Sequence, residues 1–93
     1  MENNYPKSVS QMVQVLRAHE VPDWMYVIDA VSGDELYGIA QDDSGRWTTY
    51  YCERGKKNDV QIWSSEEMAV KELFGLVKEI SQYQGYWKEA AAY

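Results

Sequence analysis

Apolar residues near the N-terminus recur at helical spacing. Four of them lie three or four positions apart and would share one side of a helix: Val9, Met12, Val13 and Leu16. Ser8, just before them, is a residue type that caps helix N-termini. Pro22 is expected to end the element, because the residue before a proline is held toward extended conformations. The pattern therefore predicts a first helix that starts after Ser8.

The middle of the chain changes to short runs rich in β-branched and aromatic residues, which favour strands. These runs occupy residues 24–31, 35–41, 47–53 and 60–63. Turn-forming residues separate them at positions 32–34, 42–45 and 55–59. Short strands joined by tight turns predict a four-stranded antiparallel meander.

Helical spacing returns after the fourth run, over residues 65–82. Its apolar positions are Met68, Ala69, Leu73, Leu76, Val77 and Ile80. Ser64 and Glu67 match a capping box, in which each side chain bonds the backbone amide of the other. Beyond Gln82 two courses stay open: a stop at Gly85, or a helix that continues through residues 86–90. The order of elements predicts an α+β domain of two layers, with an N-terminal and a longer C-terminal helix covering one sheet face.

Composition limits the class of protein. A chain of 93 residues predicts a single domain spanning positions 1–93, and 45% hydrophobic residues argue against disorder. A net charge of −6 disfavours nucleic acid as a partner. No apolar run approaches the roughly 20 residues that cross a bilayer, so no membrane partner is expected. The start lacks a signal-peptide pattern, and the lone Cys52 requires no oxidising compartment, so a cytoplasmic location is expected.

Negative charge is concentrated between positions 20 and 43, where no Lys or Arg occurs. The carboxylates are Glu20, Asp23, Asp29, Asp34, Glu35, Asp42 and Asp43. Apolar residues lie between them, so the block belongs to a folded element whose charge would attract a basic protein. For any single carboxylate, solubility and protection of strand edges is the favoured explanation, but it accounts less well for the absence of any Lys or Arg in the block. Aromatic side chains nearby could anchor an interface. The predicted contact residues are Asp23, Asp34, Glu35, Tyr37, Asp42, Asp43 and Trp47.

Little in the sequence indicates a catalytic site. His19 is the only histidine, at the expected end of the first helix, and Cys52 lies in an aromatic strand where a buried thiol is typical. The sequence therefore predicts no catalytic residues, no metal site and no cofactor. Three cations at positions 54, 56 and 57 resemble a small single-strand-binding platform, but they are too few for stable binding in salt. We expect them to form a solvated loop that pairs with Glu66 and Glu67.

The sequence of the predicted third strand and of the segment after it resembles that of a known protein family. The matching residues are Trp47-Thr-Thr-Tyr50-Tyr51-Cys-Glu53-Arg54-Gly55-Lys56-Lys57, then Trp63, then Ser65-Glu66-Glu67-Met68-Ala69. Over residues 21–80 the chain resembles small immunity proteins of bacterial polymorphic-toxin and contact-dependent growth inhibition systems. The resemblance implies a non-catalytic antitoxin that binds the C-terminal domain of a cognate toxin and covers its active site. Many such toxins are nucleases with basic clefts.

A different class stays open beside the antitoxin. A regulatory or chaperone-like adaptor would capture a partner peptide along an exposed sheet edge. The oligomeric state is also open, because the aromatic residues of the tail, positions 83–93, would suit either a monomer or a homodimer.

Overall fold

The structure is a computed structural model that describes residues 5–31 and 34–89. Its elements are α1 (Val9–Ala18), a 3-10 turn (Asp23–Met25), β1 (Tyr26–Ile28), β2 (Leu36–Gln41), β3 (Trp47–Glu53), β4 (Lys56–Trp63) and α2 (Glu66–Gln84). The predicted α+β class is confirmed. The packing of both helices as one layer over the sheet stays a prediction.

The four strands form one sheet in the order β1-β2-β3-β4. The pairs β2–β3 and β3–β4 are antiparallel, as predicted. β4 begins at Lys56, however, so most of the turn predicted at residues 55–59 lies within the strand. β1 instead runs parallel to β2, with Tyr26 opposite Tyr37. The sheet is therefore mixed, and the prediction of an antiparallel meander is wrong for its first pair of strands. The tight turn predicted at residues 32–34 lies partly outside the described residues.

The parallel pairing is possible because β1 is short. Parallel neighbours usually need a crossover of a dozen or more residues, whereas here only residues 29–35 intervene. A three-residue strand spans roughly 10 Å, a distance that seven residues can retrace. The backbone of Ala30 holds the connection against β3: its carbonyl accepts from the Tyr50 hydroxyl at 2.8 Å, and its N–H donates to that oxygen at 3.3 Å.

The main core joins side chains of α1, α2, the 3-10 turn, β1 and β2. Its fully buried members include Met12, Leu16, Ile39, Val70 and Leu73. Because side chains alternate along a strand, the neighbouring positions of each strand point to the other face. A smaller cluster occupies that second face: Val27, Ala40, Tyr50 and Cys52.

Close packing on the second face depends on Gly38. A Cβ at this position would lie 2.6 Å from Cε2 of Tyr50, which is closer than real side chains approach. The Tyr50 ring therefore lies directly over the Gly38 backbone, with its hydroxyl reaching Ala30. The glycine makes room for the tyrosine that holds the β1–β2 connection.

The helix starts connect the two helices to each other. Ser8 caps α1 as predicted, with its hydroxyl accepting from the Gln11 N–H. The α2 cap is Ser65 rather than Ser64, so the predicted capping box is wrong by one position. Glu66 instead accepts from the Val9 N–H at 2.8 Å, and Lys7 lies 3.8 Å from the Glu67 carboxylate.

These contacts also correct an ion-pairing prediction. The cations at positions 54, 56 and 57 do not pair with Glu66 and Glu67, because the carboxylates at the start of α2 face the start of α1. Lys57 instead lies over the Tyr50 ring, 4.3 Å from its centroid.

The C-terminal segment leaves α2 at Gly85. Gly85 has a φ of 84°, the left-handed conformation that favours glycine at helix ends, and the Tyr86 N–H returns to the Ser81 carbonyl at 2.8 Å. Of the two courses left open, the stop at Gly85 is therefore correct. The chain then crosses to the end of α1, where Trp87 stacks on His19 with ring centroids 3.9 Å apart.

Candidate functional site

The predicted contact residues divide between the two ends of β2. Asp34 and Glu35 precede the strand, whereas Asp42 and Asp43 follow it. A six-residue strand spans roughly 20 Å, so these carboxylates cannot share one small site. Each end must therefore be considered by itself.

Asp42 stabilises the β2–β3 turn. Its carboxylate accepts from the N–H groups of Ser44 and Arg46, from the Ser44 hydroxyl and from the Arg46 guanidinium, all within 3.0 Å. The Arg46 backbone bond, followed by the other bonds from Ser44 and Arg46, holds the pKa of Asp42 below its ordinary value. Asp43 beside it is exposed, and the half-buried Trp47 packs against the main core. The hydrogen bonds that the Asp42 carboxylate can accept are therefore made largely within the turn.

Asp23 is also paired internally. Its carboxylate lies 3.0 Å from the Arg17 guanidinium, and the hydrogen bond from Arg17 lowers its pKa. Arg17 and Arg46 stand just outside the acidic segment 20–43 in the sequence. The folded chain thus neutralises two of the seven carboxylates that the sequence pattern showed as uncompensated.

The other end of β2 contains a pocket. It has a volume of about 220 Å³ and lies between the start of β2, the 3-10 turn and the C-terminal half of α2. Its lining includes Trp24, Asp34, Glu35, Tyr37, Val77 and Ile80. Three of the predicted contact residues, Asp34, Glu35 and Tyr37, therefore come together here.

The end of β3 and the turn after it hold the two carboxylate-bearing residues in place. The Arg54 N–H donates to Oδ1 of Asp34 at 3.0 Å, and the Glu35 N–H donates to the Cys52 carbonyl at 2.8 Å. Glu35 has a φ of 61°, which is uncommon for a residue with a side chain. The pocket rim is thus held by contacts between segments distant in sequence.

An exposed aromatic pair borders the pocket. Trp24 is 58% exposed, and its ring meets that of Tyr86 edge-on with centroids 5.4 Å apart. Neither residue is among the predicted contact residues: Trp24 lies within the acidic block, and Tyr86 was grouped only with the aromatic tail. The sequence feature that bears on Tyr86 is Gly85, because a helix that ends there allows the next residue to contact Trp24 in the 3-10 turn. We call Trp24, Asp34, Glu35, Tyr37 and Tyr86 the acidic–aromatic end.

Two larger cavities lie on the other side of α2. Their volumes are about 440 and 540 Å³, they lie beside β4, and both are lined by Glu72 and Leu76. The larger cavity carries both signs of charge, because Lys71 lies in its wall with two glutamates. The smaller cavity is lined by Tyr37, Tyr51, Asp59 and Glu72, but its tyrosine pair is half-buried. Neither cavity is bordered by an exposed aromatic pair within the described residues. The acidic–aromatic end is therefore the better candidate for recognition of a charged partner.

The outer edge of the sheet is poorly suited to pairing with another strand. β4 is exposed along nearly its whole length, with Ile62 54% exposed. Its register slips opposite Tyr50, where Asp59 has a φ of 53°. A bulge of this kind and flanking lysines, here Lys56 and Lys57, discourage edge-to-edge pairing.

Within residues 5–31 and 34–89 no group of three His, Cys, Asp or Glu side chains is arranged to hold a metal ion. Cys52 is buried, as its sequence context predicts. The His19 ring contacts the Lys88 carbonyl through Nδ1 at 2.6 Å. The chemistry available at the acidic–aromatic end is hydrogen bonding, ion pairing and stacking.

Neither described helix combines the length and apolar character needed to cross a lipid bilayer. Comparison of the chain with protein-family models, with curated proteins and with solved structures finds no match. The functional conclusion therefore depends on the site itself.

Proposed function

We propose that the protein is a cytoplasmic, non-catalytic binding protein of the immunity type. Its acidic–aromatic end docks on a cationic surface of a protein toxin and covers the toxin's active site. The observation that supports this function is the exposed Trp24–Tyr86 pair beside a pocket lined by Asp34 and Glu35. Interface hot spots are enriched in Trp and Tyr, and carboxylates around them accelerate encounter with a basic partner.

The charge distribution favours this end over the opposite one. Within the described residues neither Asp34 nor Glu35 forms an ion pair, whereas at the opposite end Asp42 pairs with Arg46 and Asp43 alone remains unpaired. An unpaired carboxylate gains more from a cationic partner than one that must first give up an internal arginine. Charge-assisted hydrogen bonds to Lys or Arg would then set the register of the complex.

The experiment first asks whether the adjacent upstream reading frame encodes a protein with a toxin C-terminal domain; its absence would contradict the proposal. Where it is present, that domain is co-expressed with the chain, scored by cell growth and by co-purification. We expect Trp24→Ala and Glu35→Lys to weaken protection and capture of the toxin domain. Ile62→Ala is the matched control for Trp24, because its exposure is similar but it lies on the far edge strand. Asp43→Lys is the control for charge at the other end of β2. Full protection by both site variants would contradict the proposal.

The same control tests the adaptor alternative. A peptide captured along the sheet edge would pair with β4, so Ile62→Ala would then lose binding and Trp24→Ala would keep it. The bulge in β4 supports the opposite outcome.

A further inference from the structure

The pocket of the acidic–aromatic end is too small for a typical metabolite. Small-molecule sites occupy roughly 300–1,000 Å³, whereas this pocket measures about 220 Å³. A volume of this size accommodates one long side chain of a partner protein. The walls then decide which side chain fits.

Two carboxylates at the rim favour a cation. Oδ1 of Asp34 is occupied by the Arg54 N–H, but Oδ2 has no hydrogen bond or ion pair within the described residues. Glu35 is exposed and likewise forms no ion pair there. Asp34 and Glu35 are adjacent, so a single cationic group at the rim can reach both.

The remaining walls are aromatic and aliphatic. Trp24 and Tyr37 line the pocket together with Val77 and Ile80 of α2. Aliphatic walls suit the methylene groups of a long side chain, and aromatic faces attract cations. A guanidinium stacks on such faces and also pairs with carboxylates in a planar fork, which an ammonium group cannot do.

We propose that this pocket accepts the side chain of one arginine of the protein partner. This arginine would anchor the partner at the acidic–aromatic end, so the identity of the ligand as a protein side chain rests on the proposed function. Its guanidinium lies between the Trp24 ring and the carboxylates of Asp34 and Glu35, and its methylenes contact Ile80.

The pocket can be tested on the free protein, without any toxin. The probe is Nα-acetyl-arginine methylamide, titrated into isotopically labelled protein while amide and indole NMR signals are recorded. Blocked citrulline is the control of equal shape without the charge, and blocked lysine is the control of equal charge without the fork. We expect saturable shifts confined to Trp24, Asp34, Glu35 and Tyr37 with arginine, and none with citrulline.

Two conservative variants test the carboxylates. Asp34→Asn keeps an oxygen acceptor for the Arg54 N–H, and Glu35→Gln keeps the side-chain size. Each is expected to weaken arginine binding about two- to fivefold, the effect of one solvent-exposed ion pair. Asp43→Asn should leave binding unchanged.

Three results would overturn the proposal: no saturable shift, shifts of equal size around Asp43, or binding of lysine as strong as that of arginine. None of these depends on the toxin partner. Arginine binding with no toxin capture would reject the proposed function alone, and toxin capture with no arginine binding would reject the pocket alone.

Discussion

Gly38→Ala should destabilise the protein although both residues are small. The new Cβ would lie 2.6 Å from Cε2, 2.7 Å from Cζ and 2.9 Å from Oη of Tyr50. Tyr50 is 1% exposed, so its ring cannot move without displacing the atoms that cover it. Either the ring shifts and its hydroxyl leaves Ala30, or the sheet opens between β2 and β3.

The cost follows from two destabilising terms and one stabilising term. Overpacking of a core typically costs about 1–3 kcal/mol, and each lost hydrogen bond to Ala30 adds about 1 kcal/mol. Replacing glycine within a strand returns about 0.5–1 kcal/mol of that. The expected loss is therefore about 2–4 kcal/mol, a large fraction of the roughly 5–15 kcal/mol that stabilises a domain.

Urea unfolding followed by circular dichroism measures this loss. Gly75→Ala is the matched control, because nothing lies within 4 Å of its Cβ position and it sits inside α2. Alanine there should raise the free energy of unfolding by about 0.5–1 kcal/mol. In a double-mutant cycle, Tyr50→Leu should relieve most of the Gly38→Ala clash. A Gly38→Ala variant as stable as the wild type, or strictly additive effects, would refute the packing explanation.

Substitutions at the α2 cap, at the end of α1 and in the β2–β3 turn test three local features. Ser65→Ala should cost about 1 kcal/mol of stability by removing the α2 cap, whereas Ser64→Ala should be near neutral in the same urea assay. Glu20 has a φ of 62° at the end of α1, so Glu20→Gly should raise the melting temperature by several degrees and Glu20→Ala should not. Asp42→Ala should lower the urea midpoint at pH 7. Because the folded-state pKa of Asp42 is lowered, that stabilisation is present above about pH 4 and is lost as pH falls further. The difference between wild type and Asp42→Ala should therefore shrink in acid, and a constant difference would exclude Asp42 as its source.

Local sequence patterns determined the elements whose signals are short in range. The apolar spacing around Met12 and Leu16 specified the buried side of α1, and the residues bounding β3 were predicted at both ends. Helix propensity, capping and strand alternation depend on neighbours within a few positions, so they can be read without the fold. The capping box failed by one residue because Ser64 and Ser65 offer the same chemistry.

The tertiary structure decided the direction of β1, the pairing of charges and the pocket. The segment after β1 has the composition of a hairpin turn, but the contact between Ala30 and Tyr50 brings the chain back parallel. Arg17 and Arg46 neutralise Asp23 and Asp42, which have no Lys or Arg near them within the sequence segment 20–43. Such outcomes depend on contacts between positions far apart in the chain, and composition does not encode which contacts form. Sequence alone therefore indicated both helices, the bounds of β3 and the amount of negative charge, whereas long-range packing decided which carboxylates remain available to a partner.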